Sequence, residues 1–353
     1  MFCVPVITYA APCLDWTEEE LKAIDRSTRK LLNEKGVFHK NSCSSRLYIS
    51  RKNGGRGLLN VQSQIRRIIT KCKKNIQERQ QQDKILSIIK LQTLHEAPLL
   101  DFWKQHIEKP LHGCFLKSTE IKNWKLNLRK DVESFVFALQ EQAVPTRYYL
   151  RNIEKQNVSP VCRLCKASPE TVTHILSNCP VLAKKQYLQR HNRMGSQIYK
   201  QLCKSCNLNY PQANQISSIN ENDAYKLLWD FPIKTFTNVT HNRPDMILIN
   251  KLNKKATVFD FSTPWDTSIS DKYNEKVSKY IALAEEIRKL WTLSEVKIQP
   301  IIIGCLGSYS KRMKREILLL NTSFKTNINI TSLQEATVQE TVKIAKSVMK
   351  VPT

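Results

Sequence analysis

Apolar residues first recur with helical spacing near the start of the chain. Leu21 and Ile24 begin an apolar stripe, and their spacing is that of one helix face. Thr17 and Glu20 come just before this stripe, and a Thr followed three residues later by a Glu is typical of a capping box. The pattern therefore predicts a helix that starts after Thr17 and ends near Gly36.

The following stretch, residues 61–150, also has helical periodicity. Ile65 and Ile69 are four residues apart and belong to one apolar face. A second long helix is predicted to end before Pro145, because proline cannot continue a helix. We therefore expect the N-terminal half of the chain to be mainly helical.

From residue 222 the pattern changes to an alternation of strands and helices. Residues 224–231 predict a helix, whereas 243–250 and 256–264 are apolar runs of strand length and composition. The expected elements after them are a long helix (270–291), a buried strand (296–307) and two shorter helices (near 311–320 and 332–349). The predicted fold class is a helical N-terminal half followed by an α/β part, with polar residues 203–222 as the boundary.

The net charge of the chain indicates which kind of partner it binds. The 353 residues include 56 Lys and Arg against 31 Asp and Glu, a formal net charge of +25. A charge of this size favours a polyanionic partner such as nucleic acid. The helices of residues 61–150 would then carry the chain across nucleic acid, or they would form a scaffold without contact.

Cysteine usage and hydropathy indicate the compartment. Eleven cysteines, an odd number, are spread along a lysine-rich chain, which favours reduced thiols over a disulfide scaffold. The apolar start has no basic residue before Lys22, unlike a signal peptide. No run approaches the roughly 20 apolar residues of a membrane span. We expect a soluble intracellular protein, nuclear or cytoplasmic and not secreted.

A short cassette of metal-binding residues is the strongest chemical signal. Its C-x2-C-x8-H-x4-C spacing comprises Cys162, Cys165, His174 and Cys179. Three thiolates and one imidazole match a closed structural zinc site. Four unrelated buried residues are the alternative, since free cysteine is common in cores. Basic residues follow the last ligand: Lys184, Lys185 and Arg190. A zinc knuckle beside them indicates nucleic-acid binding.

Two other motifs carry weaker signals. The glycines of residues 54–57 surround Arg56, and such a turn can bring backbone N–H groups and a guanidinium to a phosphate. A plain tight turn explains the glycines equally well. Cys203 and Cys206 form a second C-x2-C pair without a further ligand pair, which favours a structural thiol pair.

A pair of aspartates suggests catalysis. Asp245 and Asp260 stand on two successive predicted strands, and a hairpin would place their carboxylates side by side. Oxygen ligands of this kind suit Mg²⁺, which activates water against a phosphodiester. Lys276 and Tyr280 lie on one edge of the following helix, where the lysine can reach the carboxylates. The alternative is that both aspartates only open turns or cap neighbouring helices.

Three signatures occur in an order that resembles a known family. They are the segment 46–58, the Cys/His cassette with its trailing Arg-His pair, and the Arg-Pro-Asp triplet followed by Asp260. Together they resemble the C-terminal part of polyproteins from non-LTR retrotransposons of the restriction-like-endonuclease class. The resemblance extends over residues 14–60 and 124–310.

The resemblance implies a division of the chain into four parts. These are a reverse-transcriptase thumb-like remnant (1–60), a basic helical linker (61–158), a zinc knuckle with a basic helix (159–202) and a restriction-like endonuclease domain (221–353). The last domain would have a PD-(D/E)xK-like mixed sheet and would nick target DNA.

The resemblance also assigns roles to individual residues. Asp245 and Asp260 become Mg²⁺ ligands, Lys276 takes the lysine role on the helix, and Tyr280 lies beside it. The expected nucleic-acid contacts are Arg46, Arg56, Lys184, Lys185, Arg190 and Arg243. Asp266 is a weaker candidate for a further acidic ligand.

Polymerase chemistry is not expected of this sequence. It contains no Asp-Asp dyad, and there is no room for fingers and palm ahead of residue 14. The resemblance therefore implies a nucleic-acid-binding protein with a Mg²⁺-dependent DNA endonuclease and a structural Zn²⁺. Its partners would be target DNA and element RNA, with a reverse transcriptase chain as a candidate third, and no membrane. The alternative is a zinc-bearing binder without catalysis, or a truncated fragment.

Overall fold

The computed structural model describes residues 16–80, 128–209 and 216–350, together with Thr8 and Ala11. Its longer helices are α1 (Glu18–Glu34), α2 (Val61–Gln80), α3 (Lys130–Gln140), α4 (Leu188–Ser205), α5 (Ile269–Leu290), α6 (Lys311–Phe324) and α7 (Ile330–Met349). Shorter helical turns lie at Ser45–Tyr48, Arg51–Asn53, Arg147–Asn152, His174–Asn178, Pro180–Leu182, Ala183–Tyr187 and Asp266–Ser268. Within the described ranges, no helix combines the length and the apolar character that a membrane crossing requires.

The predicted first helix is confirmed, including its start. Thr17 and Glu20 form the capping box, in which each side chain bonds the backbone of the other residue. The apolar face of α1 packs against α2 through Leu21 and Ile65. Asp25 of α1 accepts a hydrogen bond from the N–H of Val61 at 3.2 Å, so α1 also caps the start of its neighbour.

The helix predicted to end at Pro145 is shorter than expected. Helix α3 ends at Gln140, and the chain then turns through Gln142, which adopts a positive φ of 55°. A residue in the left-handed region commonly terminates a helix. The predicted start of this helix near residue 124, and most of the basic helical stretch before it, lie outside the described residues.

The C-terminal half is built on a five-stranded mixed sheet in the order β1-β2-β3-β4-β5. The strands are β1 (Ile219–Glu221), β2 (Tyr225–Trp229), β3 (Met246–Asn250), β4 (Lys255–Ser262) and β5 (Glu295–Ile302). Neighbours from β1 to β4 are antiparallel, whereas β5 is parallel to β4. Helix α5 makes the connection that a parallel pair requires.

The prediction of a helix at residues 224–231 is wrong. Residues 225–229 of this stretch form β2, and Tyr225 pairs with Asn250 of β3. The side-chain oxygen of Asn222 accepts from the N–H groups of Ala224 and Tyr225, which closes the turn into this strand. An apolar run this short has no decisive periodicity, so the partner strand determines its conformation.

Both faces of the sheet are covered by helices. Helices α4 and α6 pack on one face, where Phe259 and Phe261 of β4 contribute to the core. Helix α5 covers the other face, where Tyr280 packs with Val258. The fully buried pattern of β3 follows from this burial on two sides.

A further core joins α3, residues 162–182 and α7. Phe137 of α3, Cys179 and Val342 of α7 all belong to it. The same core includes Trp265 from the segment after β4. The predicted limits of the knuckle and nuclease domains stay predictions, but the described residues of both regions share a hydrophobic core.

Gly195 allows α4 to approach the sheet closely. A Cβ atom at this position would lie 2.7 Å from the Phe261 ring and 2.8 Å from the Trp229 ring. We expect Gly195→Val to lower the free energy of unfolding by about 1–3 kcal/mol, the usual effect of overpacking a core. Urea denaturation measures this change. Gln189→Ala, at an exposed position of the same helix, is the control and should change it by less than about 0.5 kcal/mol.

Candidate functional site

Three cysteine thiols and one imidazole meet in a single cluster. The ligand atoms of Cys162, Cys165, His174 and Cys179 all lie within 4.8 Å of one another. Cys165 Sγ is 3.3 Å from His174 Nε2. Ligand atoms around a tetrahedral zinc ion are about 3.5–3.8 Å apart, because Zn–S bonds are about 2.3 Å and Zn–N bonds about 2.0–2.1 Å. The cluster therefore has the ligands, number and spacing of a structural zinc site.

The backbone of residues 162–179, which we call the zinc loop, places these ligands. The N–H of Cys162 donates to the Ser168 carbonyl at 2.8 Å, and Lys166 takes a positive φ of 57°. This tight turn brings the first two thiols together. The π-helical turn His174–Asn178 then carries the imidazole towards them.

A buried carboxylate fixes the middle of the zinc loop. Glu170 accepts the N–H of Arg147 at 2.9 Å and the N–H of Arg163 at 2.8 Å. It also forms an ion pair of 2.7 Å with the Arg163 guanidinium. Burial favours the neutral acid, but the bonds from Arg163 outweigh it and hold the pKa of Glu170 below its usual value. The ionised carboxylate thus ties the loop to the turn that carries Arg147.

Asp260 is buried in β4 and faces helix α5. The hydroxyl of Tyr280 donates to its Oδ1 at 2.7 Å, and Lys276 Nζ lies 2.6 Å from its Oδ2. Although Lys276 is this close, Oδ2 has no hydrogen bond of good geometry. Burial, with the adjacent Asp260 charge, raises the pKa of Tyr280, so the phenol stays protonated and acts as the donor.

Asp245 stands immediately before β3 and is held from two sides. Its Oδ2 accepts the N–H of Phe261 at 2.6 Å and lies 3.0 Å from Nε2 of His191 in α4. Burial opposes ionisation of both partners. The hydrogen bond and charge of the pair outweigh burial, so the pKa of His191 is raised and that of Asp245 is lowered. The contact therefore favours the ionised carboxylate and the charged form of the imidazole.

The strand register sets the two aspartates opposite each other, and their carboxylates bond side chains of different helices. Met246 pairs with Phe259, so continuing this register puts Asp245 opposite Asp260. Asp260 nevertheless turns towards α5, and Asp245 bonds α4 beyond the end of the sheet. The Lys276 charge contributes to lowering the pKa of Asp245, so both carboxylates share one electrostatic environment.

The donor set is compatible with a divalent cation. Asp260 Oδ2 is a buried oxygen, and its contact with Lys276 Nζ at 2.6 Å lacks hydrogen-bond geometry. The two described contacts to the Asp245 carboxylate both reach Oδ2. No described residue donates to its Oδ1. Carboxylate oxygens with open positions are the ligands that Mg²⁺ prefers. Asp245 and Asp260 are therefore the residues that would hold it.

A cleft of about 560 Å³ connects this region with the zinc loop. Asp245, His191 and Lys276 line one part of it, and Thr173 and Ser177 of the zinc loop line another. The zinc loop and Asp245 therefore border one cavity. The volume is in the range of small-ligand sites, about 300–1,000 Å³.

Three of the predicted nucleic-acid contacts are structural residues. Arg46 is buried and pairs with Glu141 at 3.2 Å. Arg56 pairs with Glu133 at 2.8 Å, with a side chain only 7% exposed. Arg190 is also buried. These guanidinium groups already have partners inside the protein, so the prediction that they contact phosphates is wrong.

The other predicted contacts are accessible. Lys184 and Lys185 are exposed after the last zinc ligand, and neither forms an ion pair within the described residues. The side chain of Arg243 is 57% exposed and pairs with Asp230 at 2.8 Å. An exposed pair of this kind is weak, so Arg243 can exchange its partner for a phosphate.

Asp266 does not extend the acidic site. Its carboxylate is buried and accepts the N–H groups of Leu306 and Ser308 at 2.9 and 3.0 Å. Burial raises its pKa. The residue organises the turn after β5, and the suggestion that it is a further ligand is wrong.

The buried thiols at the end of α4 agree with a structural role. Cys203 and Cys206 lie in the core between α4 and the sheet. Burial raises the pKa of Cys203 to about 11 and that of Cys206 to about 12. Both thiols therefore stay protonated, which does not favour metal binding.

Two residues of the site were missed in the sequence. His191 follows Arg190 in the Arg-His pair after the cassette, but nothing in the spacing connects it with Asp245. Lys279 lies 3.9 Å from Asp260 Oδ1 and 4.6 Å from the centre of the Tyr280 ring. Lys279 follows Lys276 by three residues, and this spacing places both lysines on the same side of the predicted helix.

Comparison with known families identifies the zinc-binding part. Residues 116–185 match the family described as zinc-binding in reverse transcriptase, and all four ligands of the cluster fall within this range. The chain thus contains a zinc-binding domain of reverse-transcriptase-related proteins, as the cassette predicts. The match covers a minority of the chain. No curated protein matches the sequence.

The zinc site gives a direct prediction. We expect the purified protein to carry about one zinc ion per chain, as a four-ligand site requires. Cys165→Ser should lose most of this zinc and unfold at a lower temperature, because the zinc loop contributes Cys162 and Cys179 to a hydrophobic core. Metal analysis by mass spectrometry and thermal unfolding measure both effects. Cys72→Ser, a cysteine of α2 outside the cluster, is the matched control and should keep its zinc.

Proposed function

We propose that this protein is a retrotransposon-derived, Mg²⁺-dependent DNA endonuclease with a zinc-bearing nucleic-acid-binding region. One observation carries the proposal: the register of β3 and β4 sets Asp245 opposite Asp260, while Lys276 pairs with Asp260 and lines the cleft together with Asp245. Two carboxylates and a lysine on a mixed sheet with a crossover helix are the arrangement expected of a PD-(D/E)xK-like nuclease. The activity is phosphodiester hydrolysis that nicks one strand.

Each residue of the site would have a separate role in such a reaction. Asp245 and Asp260 supply carboxylate oxygens for the cation, which when bound would act as a Lewis acid on the phosphodiester and on water. The ammonium of Lys276, at 2.6 Å from Asp260, is positioned to stabilise negative charge that develops on the phosphate. Tyr280 holds Asp260 in place through its hydroxyl.

The surface charge of the chain supports a nucleic-acid substrate. The chain has a net charge of +25. Some of its positive groups are paired inside the protein, where two N-terminal arginines form ion pairs with Glu133 and Glu141. Others are accessible, such as Lys184 and Lys185 after the zinc loop. The proposed partners are target DNA and element RNA, with a reverse transcriptase chain as a third. A nuclear location would follow from a DNA target.

A nicking assay on supercoiled plasmid tests catalysis. We expect wild-type protein to produce nicked circles in Mg²⁺. Asp245→Asn and Asp260→Asn should reduce the rate by more than about 10²-fold, because losing a charged ligand removes several kcal/mol of transition-state stabilisation. Asp223→Asn removes an exposed carboxylate outside the site, and it should nick at the wild-type rate.

The two lysines give a sharper comparison in the same assay. Lys276→Ala should be much slower than Lys279→Ala, since Lys276 is 2.6 Å and Lys279 3.9 Å from the Asp260 carboxylate. Zinc content and thermal unfolding verify that each variant is folded. Wild-type protein that binds DNA but never nicks it would defeat the nuclease proposal and leave a non-catalytic binding protein.

Binding to duplex DNA tests the basic surface separately from catalysis. We expect Lys184→Ala with Lys185→Ala to flatten the plot of log affinity against log salt by about 2, since each phosphate contact contributes a slope of about 0.9. Fluorescence anisotropy without Mg²⁺ measures the slope. Lys234→Ala with Lys297→Ala removes two exposed charges elsewhere, and an equal effect in this control would show that only total charge matters.

A further inference from the structure

His191 occupies a place between the zinc loop and the carboxylates. Its Nε2 lies 3.0 Å from Asp245 Oδ2, and its Nδ1 lies 2.9 Å from the side-chain oxygen of Asn192. The ring also meets the Phe261 ring edge-on, with the ring centres 5.9 Å apart. With these contacts on three sides, the imidazole has a defined orientation.

The residue before it fixes this part of helix α4. The buried guanidinium of Arg190 donates to the Leu176 carbonyl of the zinc loop at 2.8 Å. It also donates to the hydroxyl of Thr263 at 3.0 Å and to that of Thr341 at 3.2 Å. The helical turn that carries His191 is therefore anchored to the zinc loop, to the end of β4 and to α7.

The contact with His191 determines which oxygen of Asp245 stays available. Oδ2 is engaged by His191 and by the N–H of Phe261, and no described residue donates to Oδ1. A carboxylate held at one oxygen by two donors presents its other oxygen in a fixed direction. Asp245 lines the cleft together with Lys276, on the side where the cation of the proposed nuclease would bind.

We propose that His191 is a positioning residue that orients Asp245 for the divalent cation. This inference rests on the proposed function for the identity of the site. His191 acts through Asp245 and touches neither the cation nor the substrate. Residues that hydrogen-bond to a metal ligand typically contribute about 10–100-fold to metal affinity. We expect the loss of His191 to weaken cation binding by a factor in this range. The Arg-His pair after the zinc loop would then connect the zinc-binding part with the acidic site through adjacent residues of one helix.

Binding of Mn²⁺ to the full chain tests the inference without any DNA. Free Mn²⁺ is measured by electron paramagnetic resonance during a titration of zinc-loaded protein. We expect wild-type protein to bind Mn²⁺ and Asp245→Ala to lose this binding. His191→Ala should weaken it by about 10–100-fold. His191→Gln retains an N–H donor of similar reach and should recover much of the affinity. Gln189→Ala on the same helix is the control and should bind as wild type does.

The outcomes separate this inference from the proposed function. Unchanged Mn²⁺ affinity in His191→Ala, with binding lost in Asp245→Ala, would overturn the positioning role and leave the nuclease untouched. Wild-type protein without Asp245-dependent Mn²⁺ binding would overturn it as well. Mn²⁺ binding that depends on both residues, in a protein that nicks no plasmid, would support the positioning role while the nuclease proposal fails. Equal weakening in His191→Ala and His191→Gln, with unchanged zinc content, would show that the N–H donor is not the cause and would also overturn it.

Discussion

The buried guanidinium of Arg190 is the constraint that the centre of this molecule has to satisfy. Removing a charged group from water is costly unless its donors find partners. Within the described residues no carboxylate forms an ion pair with it, so carbonyl and hydroxyl oxygens accept its hydrogen bonds instead. These oxygens come from Leu176, Thr263 and Thr341, which lie in three separate segments of the chain. The zinc loop, the end of β4 and α7 can therefore not move apart without leaving a buried cation unsatisfied.

A second use of charge occurs in the N-terminal part. Arg56 reaches Glu133 of helix α3, and Arg46 reaches Glu141 just after this helix. Both guanidinium groups lie over the ring of Phe137. Positive φ angles at the glycines of the preceding turn allow the chain to fold back here. A basic, glycine-rich segment thus serves as an internal joint, although its composition alone suggests a phosphate-binding turn. The exposed lysines after the zinc loop, which have no ion-pair partner among the described residues, are the better candidates for contact with nucleic acid.

The sequence predicts features that depend on local spacing better than features that depend on distant partners. The capping box at Thr17, the ligand spacing of the zinc cassette and the long amphipathic helix α5 all have a local pattern, and the structure contains each of them. The conformation of β2 depends on its pairing with β3, so the short apolar run was misassigned as a helix. The burial of Arg190 and the contact of His191 with Asp245 arise because α4 docks on the sheet next to Gly195, and no spacing in the sequence encodes that approach.

The shared packing changes how the zinc-binding part and the acidic site should be understood. The resemblance implies a zinc knuckle that helps to bind nucleic acid and, after it, a nuclease domain as a separate part of the chain. Here Cys179 belongs to the same hydrophobic core as Trp265 and α7, and the zinc loop borders the cleft that contains Asp245. Zinc that holds this loop therefore also supports one wall of the cleft. A change that releases the metal disturbs this wall as well as any surface that binds nucleic acid, so the two contributions have to be separated by single side chains and not by deleting the knuckle.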